Sequence, residues 1–121
     1  MKSGIYNKAV YWPVELEIRI AEIKSIRQFL SPTQHYRDKA AKLKLPDNCY
    51  KVALYGEVVE AEYDNRVTKI VTRIFNRYNR NQDLCCVIAV DKDELRVKTV
   101  WLNDRNDKHY TLHRKNYIQN A

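Results

Sequence analysis

Glycine is nearly missing from this chain, with two in 121 residues, and proline is represented three times. Flexible Gly-Ser linkers, glycine-periodic repeats and glycine-rich phosphate loops are thereby excluded, since each relies on backbone positions free of a Cβ. The three cysteines, Cys49 and the adjacent Cys85 and Cys86, are an odd number without CxxC spacing. Neither a disulfide framework nor a zinc site follows from them. Neighbours in a strand point to opposite faces, so Cys85 and Cys86 are expected to be buried as small apolar side chains. No apolar run approaches the ~18 residues of a membrane span. The opening MKSGIYNKAVYW also lacks a signal-peptide core, so a cytoplasmic protein with no membrane partner is expected. GxSxG, HExxH and zinc-finger patterns are absent as well. His109 and His113 are four apart, but on an extended segment that spacing does not make the one-face pair that binds zinc, so no metal and no cofactor are expected.

What is present describes a folded domain. Apolar residues make up 45% of the chain, and nine tyrosines, two tryptophans and two phenylalanines supply large buried surfaces. The length suits a single domain, residues 1–121, with a real core. Twenty-two Lys and Arg against fifteen Asp and Glu give a net charge of +7, a field that attracts polyanions and places nucleic acid first among partners.

Hydrophobic periodicity divides the chain in two. Over residues 13–30, Leu16, Ile20, Ile23, Ile26 and Leu30 mark one helical stripe behind Pro13, which suits a first helical turn. In SPTQHYRDKAAKLKL, Ser31 is placed as N-cap, Pro32 as first helical residue and Gln34 as the capping-box partner of a second helix. Asp47 as cap and Gly56 as terminator suggest a third, short helix. From Glu57 the period becomes two. Segments 57–63, 66–75, 84–90 and 95–102 read as strands joined by connections too short for parallel crossovers. The expectation is an α+β fold: two or three N-terminal helices in a helical part, 12–55, packed on one face of a four-stranded antiparallel meander sheet that occupies 57–117 with a C-terminal segment.

Alternation then assigns faces. Lys69, Val71 and Arg73 share one side of the second strand, opposite Thr68, Ile70, Thr72 and Ile74. The stretch from Arg66 to Arg80 holds five basic residues, Arg66, Lys69, Arg73, Arg77 and Arg80, and no acid. Fixed cations on a sheet face suit a phosphate backbone, and a solvated face is the ordinary alternative. On the last strand Arg96 and Lys98 are expected on one side and Thr99, Trp101 and Asn103 on the other, with Glu60 and Glu62 able to pair with the cations.

The cluster that follows, TVWLNDRNDKHYTL, places Asn103, Asp107, His109 and Thr111 just beyond a strand end. His109 exchanges a proton near neutral pH, Asp107 can orient it, and Asn103 or Thr111 can donate to an oxyanion, although each also has an everyday role in turns and caps. His35 lies one turn into a helix, where the positive end of the macrodipole disfavours imidazolium and leaves a neutral ring able to accept a proton. Two histidines with Lys69 and Arg73 have what metal-independent RNA cleavage needs: a base for the 2′-hydroxyl, cations for the crowded phosphate and an acid for the leaving 5′-oxygen.

Four stretches, HYRDKAAKLKLP, GEVVEAEYD, VTKIVTR and VKTVWLNDRNDKHYTL, together resemble small phage and bacterial proteins allied to the barnase, EndoU, colicin and RelE-type ribonuclease fold. The resemblance covers residues 35–117. It rests on His35 in the helical part, Gly56 and Glu57 at the start of the sheet, Lys69 with Thr72 and Arg73 on a basic strand, and His109 with Thr111 after the last strand. It implies a metal-independent ribonuclease toxin with an antitoxin or immunity protein as partner, and some relatives with this sheet bind without cleaving.

The leading expectation is therefore an RNA endonuclease in which His35 and His109 act as acid and base, Lys69, Arg73 and Thr111 complete the catalytic set, and Arg66, Arg77, Arg80, Lys98 and Asn103 bind RNA. A non-catalytic inhibitor or adaptor, gripping a host protein or nucleic acid through the basic face, is the alternative. A DNA-binding regulator fits less well, because residues 31–45 do not read as the second half of a helix-turn-helix.

Overall fold

The computed structural model describes residues 1–25, 30–64, 67–75, 81–91, 94–105 and 117–119. In chain order the elements are β1 (Gly4–Asn7), α1 (Val14–Ser25), β2 (Leu30–Pro32), α2 (Gln34–Lys42), a 3₁₀ helix (Asp47–Tyr55), β3 (Glu57–Tyr63), β4 (Val67–Phe75), β5 (Gln82–Asp91) and β6 (Glu94–Asp104). The strands form one sheet in the order β1-β3-β4-β5-β6-β2, and the helices lie on one of its faces. The α+β class and the β3–β6 antiparallel meander are as the alternation predicted. The sheet is nevertheless six-stranded and mixed, not four-stranded and antiparallel: β1 adds antiparallel to β3, and β2 adds parallel to β6.

Periodicity explains α1. Leu16, Ile20 and Ile23 fall on one stripe and are buried, Glu15 and Glu17 sit at the positive end of the helix dipole, and Lys24 sits at the negative end. The helix ends at Ser25, earlier than its apolar stripe suggested, and Leu30 belongs to a strand. Residues 26–29 lie outside the described residues. The capping prediction for α2 is also corrected. Ser31 and Pro32 pair with Arg96 and Val97 of β6, and the cap is Thr33, whose Oγ1 accepts from the Tyr36 amide at 3.1 Å. A long-range ladder to β6 overrides the local Ser-Pro signal, and an edge strand is where a proline without N–H is tolerated.

The third helix is 3₁₀ in its hydrogen bonding and is organised around Tyr36. The buried Tyr36 hydroxyl accepts from the Tyr50 amide at 2.9 Å, lies 3.1 Å from the Asp47 carbonyl and contacts Cys49 Sγ at 2.9 Å. Burial, then the Cys49 bond, pushes this phenol far above its usual range, so it stays protonated and ties 47–50 to α2. On the sheet side Val58, Ala61, Ile70, Cys86, Ile88, Val90, Leu95, Val97 and Val100 complete the core. All three cysteines are free and buried.

Two bulges break the strict alternation. Val58 pairs with Thr72 and Glu60 with Val71, so Val59 is an extra residue in β3. Val87 pairs with Thr99 and Ile88 with Val97, so Lys98 is extra in β6. Each insertion reverses the alternation, so that the residues flanking the bulge, two apart in sequence, lie on opposite faces. Arg96 therefore lies on the same side as Thr99 and Trp101, not opposite them as period-two reading had it. Likewise Glu57, Glu60 and Glu62 share the face that points away from the helices. Glu60 is fully buried there and accepts a hydrogen bond from the Tyr117 hydroxyl. Tyr117 bridges Ile5 of β1, and the Ile118 amide donates to the Ile5 carbonyl at 2.7 Å.

Gly56 terminates the 3₁₀ helix in ordinary extended geometry, with φ −72°. Its lack of a side chain answers a different need, because a Cβ built there would stand 2.7 Å from the Arg73 carbonyl oxygen. That oxygen belongs to the β4 backbone and has no room to give way. Gly56→Ala is expected to destabilise the fold by ~1–3 kcal/mol through overpacking. The measurement is a urea titration, in which the midpoint should fall with little change in slope; an unchanged midpoint would show that the two strands separate freely here.

Candidate active site

The end of the sheet where β3 begins and β4 finishes carries a cleft of about 440 Å³, lined by Tyr55, Gly56, Glu57, Arg73, Ile74, Asp83 and Arg105. Its side chains arrive from five consecutive pieces of structure. Tyr55 closes the 3₁₀ helix, Gly56 and Glu57 open β3, Arg73 and Ile74 lie near the end of β4, Asp83 lies at the start of β5, and Arg105 follows β6. Glu57 faces Arg73 directly across the β3–β4 pair. The Val59 bulge is what permits this: without the extra residue, a strand carrying Glu60 and Glu62 on the open face would turn Glu57 into the apolar core.

The charges form a chain. Lys8 Nζ stands 3.5 Å from Glu57 Oε1, and Arg73 holds Glu57 Oε2 through Nε at 3.2 Å and Nη2 at 3.1 Å. Arg73 Nη1 also lies 3.8 Å from Asp83 Oδ2, while Arg105 Nε lies 3.7 Å from Asp83 Oδ1. Asp83 is thus a bridge between two guanidinium groups, with its side chain only 9% exposed. Among the described residues these pairs join three cations to two carboxylates. Pairs as open as Glu57 with Lys8 contribute under ~1 kcal/mol each, so stability is a weak reason to gather five charges at one strand end.

Burial tends to raise the Glu57 carboxyl, but hydrogen bonds and charge from Arg73 and Lys8 outweigh it and hold the group below its ordinary value of 4.5. Glu57 is therefore ionised at neutral pH. Cys85, directly across from Arg73, is the opposite case: burial first and the Asp83 charge second push its thiol up to about 12. A thiol that retains its proton is a poor nucleophile, so Cys85 reads as a packed side chain behind the cleft.

The residues singled out from sequence are not all gathered here. Arg73 lines the cleft, and Asn103 is adjacent, paired with Asp83 across β5 and β6. Lys69 shares the face of Arg73 but stands four residues away, ~13 Å along the strand, and pairs with Glu62 at 3.8 Å. The two cations thus hold different carboxylates, Glu62 and Glu57. Lys98 is exposed at its bulge. His35 is exposed on α2, on the helix side of the sheet, just past Pro32, which pairs with Val97 of β6. Val97 pairs with Ile88 and Trp101, the residue in line with Arg73 two strands away, pairs with Cys85, three positions along β5, so ~10 Å along the strand and ~10 Å across it separate His35 from the cleft, with the sheet between. The structure thus does not bring His35 together with Lys69 and Arg73. His109, Thr111, Arg66, Arg77 and Arg80, together with Asp107 and His113, lie outside the described residues.

Conversely, Tyr55, Asp83 and Arg105 were not among the site residues read from sequence, and Glu57 entered only through the family resemblance. Asp83 and Arg105 each adjoin a polar connection, where nothing local marks one charged residue above its neighbours. Among the described residues no group of three or more His, Cys, Asp or Glu could hold a metal ion, and no helix is long and apolar enough to cross a membrane. The chain matches no protein-family model, no curated protein and no solved structure.

The Glu57 network makes acid stability testable. A carboxyl whose folded value is lowered contributes stability that is fully present above its unfolded value and lost as pH falls through the folded value. Below pH 4.5 the wild-type urea midpoint should therefore drop more steeply than that of Glu57→Gln, which has no carboxyl to protonate. Parallel profiles for the two proteins would show that Arg73 and Lys8 do not act on Glu57 in solution.

Proposed function

We propose that this chain is a metal-independent ribonuclease of the small toxin type, with the Glu57–Arg73–Asp83–Arg105 cleft as its phosphate site. The observation that carries this reading is one ionised carboxylate, Glu57, held directly against the Arg73 guanidinium, which Asp83 links to a second guanidinium, Arg105. A guanidinium presents planar donors that fit phosphate oxygens, and two of them on one phosphodiester steady the extra negative charge of the crowded transition state. Glu57 is the candidate base. It would take the proton of the ribose 2′-hydroxyl, the 2′-oxygen would bond to phosphorus, and the bond to the 5′-oxygen would break. The products are a 2′,3′-cyclic phosphate and a free 5′-hydroxyl.

The leaving 5′-oxygen needs a proton, and His109 is the candidate donor. It follows Arg105 by four residues, a length of chain that spans at most ~14 Å. Thr111 follows by six. His35 has no part in this scheme, and Lys69 is left to a neighbouring stretch of the RNA backbone. An antitoxin or immunity protein for such an enzyme would cover the cleft with carboxylates of its own.

A second reading is favoured by one observation: Arg73 and Lys8 hold Glu57 below the ordinary carboxylate range, which makes it a poor proton acceptor. On that reading the cleft binds RNA without cutting it. Incubation of the purified protein with total RNA in excess EDTA separates the two. The ribonuclease reading expects fragments bearing 2′,3′-cyclic phosphate, a loss of rate on the order of 10²–10³-fold in Arg73→Ala, as for removal of an oxyanion donor, and near wild-type rates in His35→Ala. Intact RNA at high protein concentration would remove the catalytic claim, and a dead His35→Ala variant would relocate the site.

A further inference from the structure

Tyr55 is the most exposed large aromatic side chain among the described residues, at 82%, and it stands at the rim of the cleft beside the residues that read as phosphate ligands. Its setting is not that of a loose loop. Gly56, the next residue, lies flush against the β4 backbone at Arg73, donates to the Ala53 carbonyl at 3.2 Å, and accepts at 3.0 Å from Lys24 Nζ of α1. The neighbouring Ala53 is buried in the core. The backbone that carries Tyr55 is thus held on two sides while its ring is left in water. Elsewhere tyrosines are put to use inside, Tyr36 as a hydrogen-bond hub and Tyr6 in the core against β3.

A flat ring in water on a fixed backbone, next to two guanidinium groups, has the parts of a nucleotide subsite. Guanidinium groups take the phosphate, and an aromatic face takes the base beside it, because every nucleobase has a π-face whatever its sequence identity. A base can reach such a ring only when it is unstacked and unpaired. In A-form duplex RNA the bases are stacked inside, and the grooves offer backbone and base edges instead.

We propose that Tyr55 is a stacking residue for a base adjoining the phosphate held by Arg73 and Arg105, and that the substrate of this cleft is therefore single-stranded RNA. The inference rests on the reading of the cleft as a phosphate site. It adds a specificity that charge alone does not supply, since a cationic patch binds any polyanion.

The probe is a short, fluorescein-labelled, random-sequence oligoribonucleotide with 2′-O-methyl at every position, which has no 2′-hydroxyl nucleophile and survives catalysis. Binding is read by anisotropy, with the same oligonucleotide in a duplex as comparison. Wild type should bind the single strand more tightly than the duplex. Tyr55→Ala should weaken the single-strand complex by about tenfold, in keeping with the loss of one stacked base, and leave the duplex complex unchanged; Tyr55→Phe should retain wild-type affinity. Because Tyr55 is exposed, the variants are expected to fold, and thermal melts would check this. Equal affinity of Tyr55→Ala and wild type for the single strand, or equal affinity of wild type for strand and duplex, overturns the proposal. Cleavage of unmodified RNA is scored separately: no cleavage with Tyr55-dependent binding intact removes only the catalytic reading, whereas cleavage with Tyr55-independent binding removes only the stacking role. Failure of wild type to bind either probe overturns both.

Discussion

The extra residue at Val59 decides which side of the sheet Glu57 occupies, and most of what distinguishes this molecule follows from that. The preceding 3₁₀ helix is tied to the core through Ala53 and to α2 through Tyr36, so the chain enters β3 at a fixed place. Further along β3, Ala61 must face the helices, because the core is built there. A regular strand satisfying the second demand would bury Glu57 among apolar side chains, where an unpaired carboxylate is costly. The bulge satisfies both, and it places Glu57 opposite Arg73. The bulge at Lys98 does the same for β6, moving Arg96 to the face of Trp101.

The open face that results is divided by depth. Its middle is closed: Glu60, Val71 and Cys85 are buried, and Tyr117 reaches Glu60 from the segment that bridges β1. Its end is open, and there the charges alternate from Lys8 through Glu57, Arg73 and Asp83 to Arg105. Alternation of this kind holds long side chains in place without neutralising them, which is the condition for recognising an anion with little reordering on arrival. The net charge of +7 draws a polyanion toward the molecule from a distance. Among the described residues, the cleft is where cations are held in a fixed array.

How far the architecture could be read in advance depended on the range of the forces involved. The stripe of Leu16, Ile20 and Ile23 and the alternation along β3–β6 are local signals, and the helix and the meander formed, the helix shorter than its stripe and the strands with two bulges. β1 was missed because GIYN is too short to alternate visibly, and its strand character comes from the β3 edge that it completes. β2 was missed because Ser31 and Pro32 carry a strong helix-start signature, and only pairing with β6 outweighs it. The site followed the same division. Arg73 was found because its face is set by alternation within one strand. The grouping of His35 with Lys69 was an inference about distance, and the sheet lies between them.

Composition and periodicity by themselves determined that this is an α+β protein with a basic character, a meander at its centre and Arg73 turned away from the helices, because those properties depend on residues within a few positions of one another. Tertiary structure alone decided that Glu57 meets Arg73, that Asp83 bridges Arg73 to Arg105, and that Tyr55 is left in water at the rim. Each of those outcomes depends on a bulge or a strand register, and register is set by packing between segments distant in sequence.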